Sequence, residues 1–122
     1  MLRPPPKLPT EKMIAMDSNR IHRLNDQFRQ TLIGGRVVMT PGVAAMEEHD
    51  RRTLIDRVRH FDEFTSENHP YGEHDFGSID LGGCRYFWKI EYFDPTLICG
   101  SSDASDMATT ERVLTLMRAD DY

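Results

Sequence analysis

Two runs of alternating apolar and polar residues meet at Gly82-Gly83, within the stretch EHDFGSIDLGGCRYFWKIEYF that covers residues 73–93. Alternation with a period of two on either side of a glycine pair predicts a β-hairpin whose turn takes positive φ at both glycines. Such a turn sets Leu81 opposite Cys84, Ile79 opposite Tyr86, Gly77 opposite Trp88 and Asp75 opposite Ile90. Ile79, Leu81, Cys84, Tyr86, Trp88, Ile90 and Tyr92 then share the core face. His74, Phe76, Ser78, Asp80, Arg85, Phe87, Lys89, Glu91 and Phe93 share the outer face, where Asp80 would meet Arg85 and His74 would meet Glu91.

Upstream the interval changes. Ile21, Leu24, Phe28 and Leu32 recur every three or four residues, predicting a helix that starts at Asp17 or Ser18 and stops at Gly34-Gly35. Arg20, Arg23 and Arg29 fall off that stripe and are expected in solvent. The β-branched run RVVMT at 36–40 reads as a strand closed by a turn at Pro41-Gly42. Helical spacing returns over 47–64, with Leu54, Ile55, Val58 and Phe61 inward. Residues 65–72 read as a loop rich in turn formers, and 94–108 (DPTLICGSSDASDMA) as a long surface loop. Thr109 or Thr110 would then cap a last helix burying Val113, Leu114 and Met117.

Residues 1–16, with Pro4, Pro5, Pro6 and Pro9, read as a disordered proline-rich arm, and 17–122 as a single α+β domain. The order α-β-α-β-β-α predicts a small three-stranded, mainly antiparallel sheet with helices packed on one face. A chain of 122 residues is long enough to bury roughly two-thirds of its unfolded surface without disulfide staples. Cys84 and Cys99 lack the spacing of a zinc site, and Cys84 is expected to pack as a small hydrophobe.

No apolar run approaches a membrane span, and no apolar stretch follows the basic residues near the start, so neither an anchor nor a secretory leader is expected and the cytoplasm is the default. Seven Lys and Arg stand against three Asp and Glu up to Met46, and eight against seventeen from Glu47 onward. The acidic body disfavours direct nucleic-acid binding and suits a basic partner or a cation.

Chemistry could gather where Glu67, Asn68, His69, Glu73, His74 and Asp75 lead into the hairpin. Two imidazoles and three carboxylates in so short a stretch could bind a divalent ion or supply a general acid and base. On an extended strand Glu73 and Asp75 share a face and His74 takes the other. A metal reading would therefore use His69, Glu73 and Asp75, and a catalytic one Glu73, His74 and Asp75. The plainer reading gives Asp75 backbone donors from the loop and His74 the carboxylate of Glu91. Tyr86, Trp88 and Tyr92 are expected in the core rather than stacked on bases, since the cations Arg85 and Lys89 lie on the opposite face.

The strings IHRLNDQFRQTLIGGRVVMTPGV, HPYGEHDFGSIDLGGCRYFWKIEYFDP and ERVLTLMRADDY resemble a family of short bacterial proteins of unknown function carried on plasmids and integrative elements. The similarity runs from Ile21 to Tyr122, and its recognisable motifs are Leu24-Asn25-Asp26, Gly34-Gly35-Arg36-Val37, the run from Gly72 to Gly77, and Trp88-Lys89-Ile90. The resemblance implies an accessory protein of a mobile element, expected to bind a host protein or ribonucleoprotein complex such as CRISPR or restriction machinery. Glu47, Glu48, Asp50, Asp56, His74, Phe76, Phe87, Phe93, Asp103 and Asp106 are the residues expected to form an acidic, aromatic contact surface. The aromatic patch could equally bury itself in a homodimer. No cofactor is expected on this reading; the alternative is a metal-dependent hydrolase or nuclease holding a divalent cation at Glu73, His74 and Asp75.

Overall fold

The computed structural model describes residues 8–65 and 72–122, with backbone alone over 8–18. Helix α1 (Leu8–Thr31) leads into strand β1 (Gly35–Met39), a one-turn helix α2 (Pro41–Ala44) and helix α3 (Glu48–Arg59). Strands β2 (Phe76–Leu81), β3 (Cys84–Phe93) and β4 (Glu111–Arg118) follow, and a 3-10 turn at Ala119–Asp121 closes the chain.

The hairpin has the register its glycines dictate. Ile79 pairs with Tyr86, Gly77 with Trp88 and Leu81 with Cys84. Gly82 and Gly83 adopt φ of 61° and 79°, the left-handed values that a tight two-residue hairpin turn requires. Ile79, Tyr86, Trp88 and Ile90 are buried on one face, where Phe28 of α1, Val43 of α2, Leu54 and Val58 of α3, and Phe61 join them. Opposite Trp88 only glycine fits: a Cβ on Gly77 would come within 2.3 Å of the indole Nε1 and 2.9 Å of the Phe61 ring. No described group accepts from the buried indole Nε1.

The last element corrects the helix expected there. Residues 111–118 form a strand, so the sheet has four strands and not three, in the order β1-β4-β3-β2. Val113, Leu114 and Met117 fit a helical interval, but Arg112, Leu114 and Leu116 alternate equally well, and β3 offers an open edge for them to pair with. Leu114 and Leu116 are buried on the core face beside Ile90 and Trp88. The strand reading requires Arg112 on that same face, which only a buried polar partner makes tolerable. β1 joins β4 in parallel, Val37 beside Leu114, so the sheet is mixed.

Other boundaries shift. α1 begins at Leu8, which moves residues 8–16 from the expected arm into the helix; Pro9 sits in the first turn, where its missing N–H breaks no helical bond. Residues 1–7, with three of the four arm prolines, lie outside the described residues. α3 ends at Arg59, ahead of Phe64, and Pro41 starts α2 where a turn was expected.

The other face of the sheet is half-exposed. Phe76 and Phe87 pack against each other with centroids 5.4 Å apart, and Tyr122 folds from the closing turn onto Phe87 at 5.7 Å. That turn is tied down by Asp121, which accepts from Thr40 Oγ1 at 2.8 Å and from the Gly42 N–H at 2.9 Å. These donors hold the Asp121 carboxyl below its usual range. No described helix is long and apolar enough to cross a membrane.

Candidate functional site

The core face turns polar where the end of β3 and the start of β4 meet α1. Tyr92 and Arg112 are cross-strand partners there. Asn25, wholly buried, joins them: its amide NH2 donates to the Tyr92 hydroxyl at 2.7 Å and to the Glu73 carbonyl at 2.9 Å. Its carbonyl oxygen accepts from Arg112 Nε at 2.8 Å. Arg112 also donates to the Ala104 carbonyl and lies 5.3 Å from the centroid of the Tyr92 ring. One amide thus saturates donors and acceptors from three elements, which is how a buried guanidinium is made tolerable. Burial pushes the Tyr92 phenol up and the Arg112 guanidinium down. Glu73, beside this knot, is raised by burial and by nearby Asp75, and pulled back by a hydrogen bond with Tyr92 and the charge of Arg112.

One turn further along α1, Arg29 is 1% exposed and not solvated as its place off the apolar stripe suggested. Its Nε donates to the Val58 carbonyl and its Nη2 to the Phe61 carbonyl, both at 3.0 Å. Val58 lies in the last turn of α3, where its carbonyl also accepts from the Phe61 N–H at 3.3 Å, and Phe61 lies two residues past the helix; the cation also suits that end of the helix dipole. The guanidinium lies 5.0 Å from the centroid of Trp88 and 5.2 Å from that of Phe64, and its Nη1 reaches Asp26 at 2.9 Å. Arg20 and Arg23 are exposed as expected.

Asp26 in turn faces the Nδ1 of His74 at 3.0 Å. His74 therefore pairs with α1 and not with Glu91, which pairs with Lys89 at 3.0 Å. The reason is local: β2 starts only at Phe76, and His74 takes φ of 55°, which breaks the alternation that would have aimed it outward. Its ring is stacked on two others, nearly parallel to Phe64 with centroids 3.8 Å apart and 4.6 Å from His22. Burial, and next the neighbouring His74, lower the His22 pKa.

Of the residues singled out in the sequence, Glu73 and His74 are thus half-buried and turned to different partners. The backbone carbonyl of Asp75 accepts from the Ile90 N–H at 2.8 Å, continuing the hairpin ladder one step. His69 falls outside the described residues. Glu47, Glu48, Asp50 and Asp56 are exposed at the start and along α3, but Glu48 pairs with Arg52 at 2.9 Å and Asp56 with Arg59 at 3.9 Å. Interleaved with arginines, they form a mixed surface and not an acidic one. Asp103 accepts from Ser105, which holds its carboxyl low, and Asp106 accepts from the Ala108 N–H at 2.9 Å, so both stabilise turns of the loop. Phe76, Phe87 and Phe93 lie on the outer sheet face, away from these acids, so with His74 turned to α1 the expected contact residues divide among four places.

The sequence reading missed Asn25, Asp26, Arg29, Tyr92 and Arg112 as site residues. A signal existed for two of them: Asn25 and Arg29 are four apart and flank Phe28 on the helix, a polar pair bordering the buried stripe. Nothing local distinguishes Arg112 from a solvated residue.

The fold is thus a mixed four-stranded sheet with helices on one face, and a polar knot joins the first helix to the last strand. Residues 39–121 match a family described as a protein of unknown function (DUF3768), and the chain belongs to that family. Neither the curated proteins nor the solved structures contain a match to it.

Proposed function

We propose that this chain is a non-enzymatic accessory binding protein that acts by protein–protein contact through the outer face of its sheet. The observation that carries the reading is the makeup of that face. Phe76, Phe87, Phe93 and Val113 are half-exposed and Val38 is 45% exposed, an apolar set spread over all four strands of that face. Among and beside them stand the neutralised pairs Asp80–Arg85, Lys89–Glu91 and Arg36–Glu111. Accessible apolar side chains among charges already neutralised by one another suit a recognition surface. Resemblance to proteins of plasmids and integrative elements directs the proposal to a host defence complex of the CRISPR or restriction type, and the net charge of −5 favours a basic face on that partner. Catalysis by Glu73, His74 and Asp75 has less support, because Glu73 turns to Tyr92 while His74 turns to Asp26.

The test is plasmid or phage survival in a host with an active defence system, with the chain supplied in trans. The wild type should raise survival and capture the complex stoichiometrically. Val38→Glu, an exposed edge position, should abolish both while leaving the melting temperature within a few degrees. No protection and no captured complex from the wild type would reject the proposal.

A further inference from the structure

His22 and Asp26 stand one helical turn apart on α1 and project to the same side of it. His74 reaches them from the strand-entry loop because of its left-handed backbone, a conformation that costs a non-glycine residue on the order of 1–2 kcal/mol. The three side chains offer ligand atoms that all lie within 4.8 Å of one another, and all three residues are half-buried.

We propose that His22, Asp26 and His74 form a binding site for one divalent transition-metal ion, with Zn2+ the best fit. Two imidazoles and one carboxylate suit borderline first-row ions, whereas Mg2+ and Ca2+ take oxygen ligands throughout. At the usual Zn–N and Zn–O lengths, tetrahedral ligand atoms sit about 3.3 Å apart, so the triad must close by up to about 1.5 Å. Side-chain rotation covers that distance without moving α1. A metal lies in the plane of each imidazole that binds it, so the stack of His22 on His74, 27° from parallel, opens as the ion enters. His22 is the ring that turns, since His74 is backed by Phe64.

The surroundings resemble the outer shell of a metal site. Arg29 holds the Asp26 carboxylate at 2.9 Å and is itself fixed by two backbone carbonyls. Such partners orient a ligating carboxylate before the ion arrives. Three protein ligands leave one tetrahedral position for water. The ion would fasten α1 to the loop ahead of β2 and does not depend on the outer face of the sheet.

The experiment uses tag-free full-length chain stripped with chelator, titrated with ZnCl2 by calorimetry and with CoCl2 by visible absorption. One Zn2+ should bind per chain with a dissociation constant in the micromolar range or tighter, and the melting temperature should rise with free Zn2+. Co2+ should give the intense absorption of a tetrahedral site. His22→Gln and His74→Gln should each weaken Zn2+ by at least ~10-fold and remove the Co2+ band, while His60→Gln, whose ring is bonded to the Asp56 carbonyl on α3, should bind as the wild type does. Substoichiometric binding by the wild type, or unchanged affinity in His22→Gln, would overturn the proposal. If His74→Gln fails to fold, His22→Gln decides alone, because it alters only a half-exposed position on a helix.

Discussion

Arg29 shows how far one side chain can depart from its place on a helical wheel. Its three donor nitrogens take the last carbonyls around α3 and the carboxylate of Asp26, with two aromatic rings against the guanidinium. Replacing it by alanine takes the Arg29 donor from the Phe61 carbonyl and one of two partners each from the Val58 carbonyl, which keeps the Phe61 N–H, and from Asp26, which keeps His74, so Arg29→Ala should cost about 3 kcal/mol in urea denaturation. Arg29→Lys should recover less than half, because a single ammonium cannot span both carbonyls. Glu73 makes the opposite kind of contribution. Burial raises its folded pKa above the unfolded value, so the native state holds the proton longer. Its stabilising contribution is complete below the unfolded pKa and is lost as pH rises through the folded one. Glu73→Gln should therefore flatten stability across the window just above pH 4.5 and leave the protein more stable than the wild type at pH 7, as read by melting temperature against pH.

At the scale of elements, the hairpin was legible because each of its signals pointed one way: alternation, a glycine pair, and Asp80 opposite Arg85 at 3.0 Å. Gly77 is part of that agreement. Gly77→Ala would push a methyl group against an indole and a phenyl ring that have no room to retreat, and should destabilise by about 1–3 kcal/mol or more with a shift in tryptophan emission. The final strand was not legible, since ERVLTLMR satisfies both periods and the choice lies in tertiary pairing. Asn25 and Arg112 explain each other only once α1 and β4 are adjacent, and no local pattern in either segment announces a partner so distant in the chain. The turn to Asp26 at His74 was hidden for a similar reason: a left-handed non-glycine residue overrides the alternation on which strand reading depends.

At the scale of the molecule, the described helices and the polar knot occupy one side of the sheet, and the aromatic outer face occupies the other. Cation and contact functions can therefore be separated by substitution: the triad of His22, Asp26 and His74 is silent toward Val38, and Val38 toward the triad. The sheet order adds one consequence. Among the described strands β1 is made first and its one neighbour, β4, last, and with β4 comes the guanidinium that donates to the Asn25 carbonyl oxygen. On the ribosome the free edge of β1 and the carbonyl oxygen of Asn25 stay unmatched until residues 111–118 have emerged. A chain interrupted ahead of that strand would present both to chaperones and proteases.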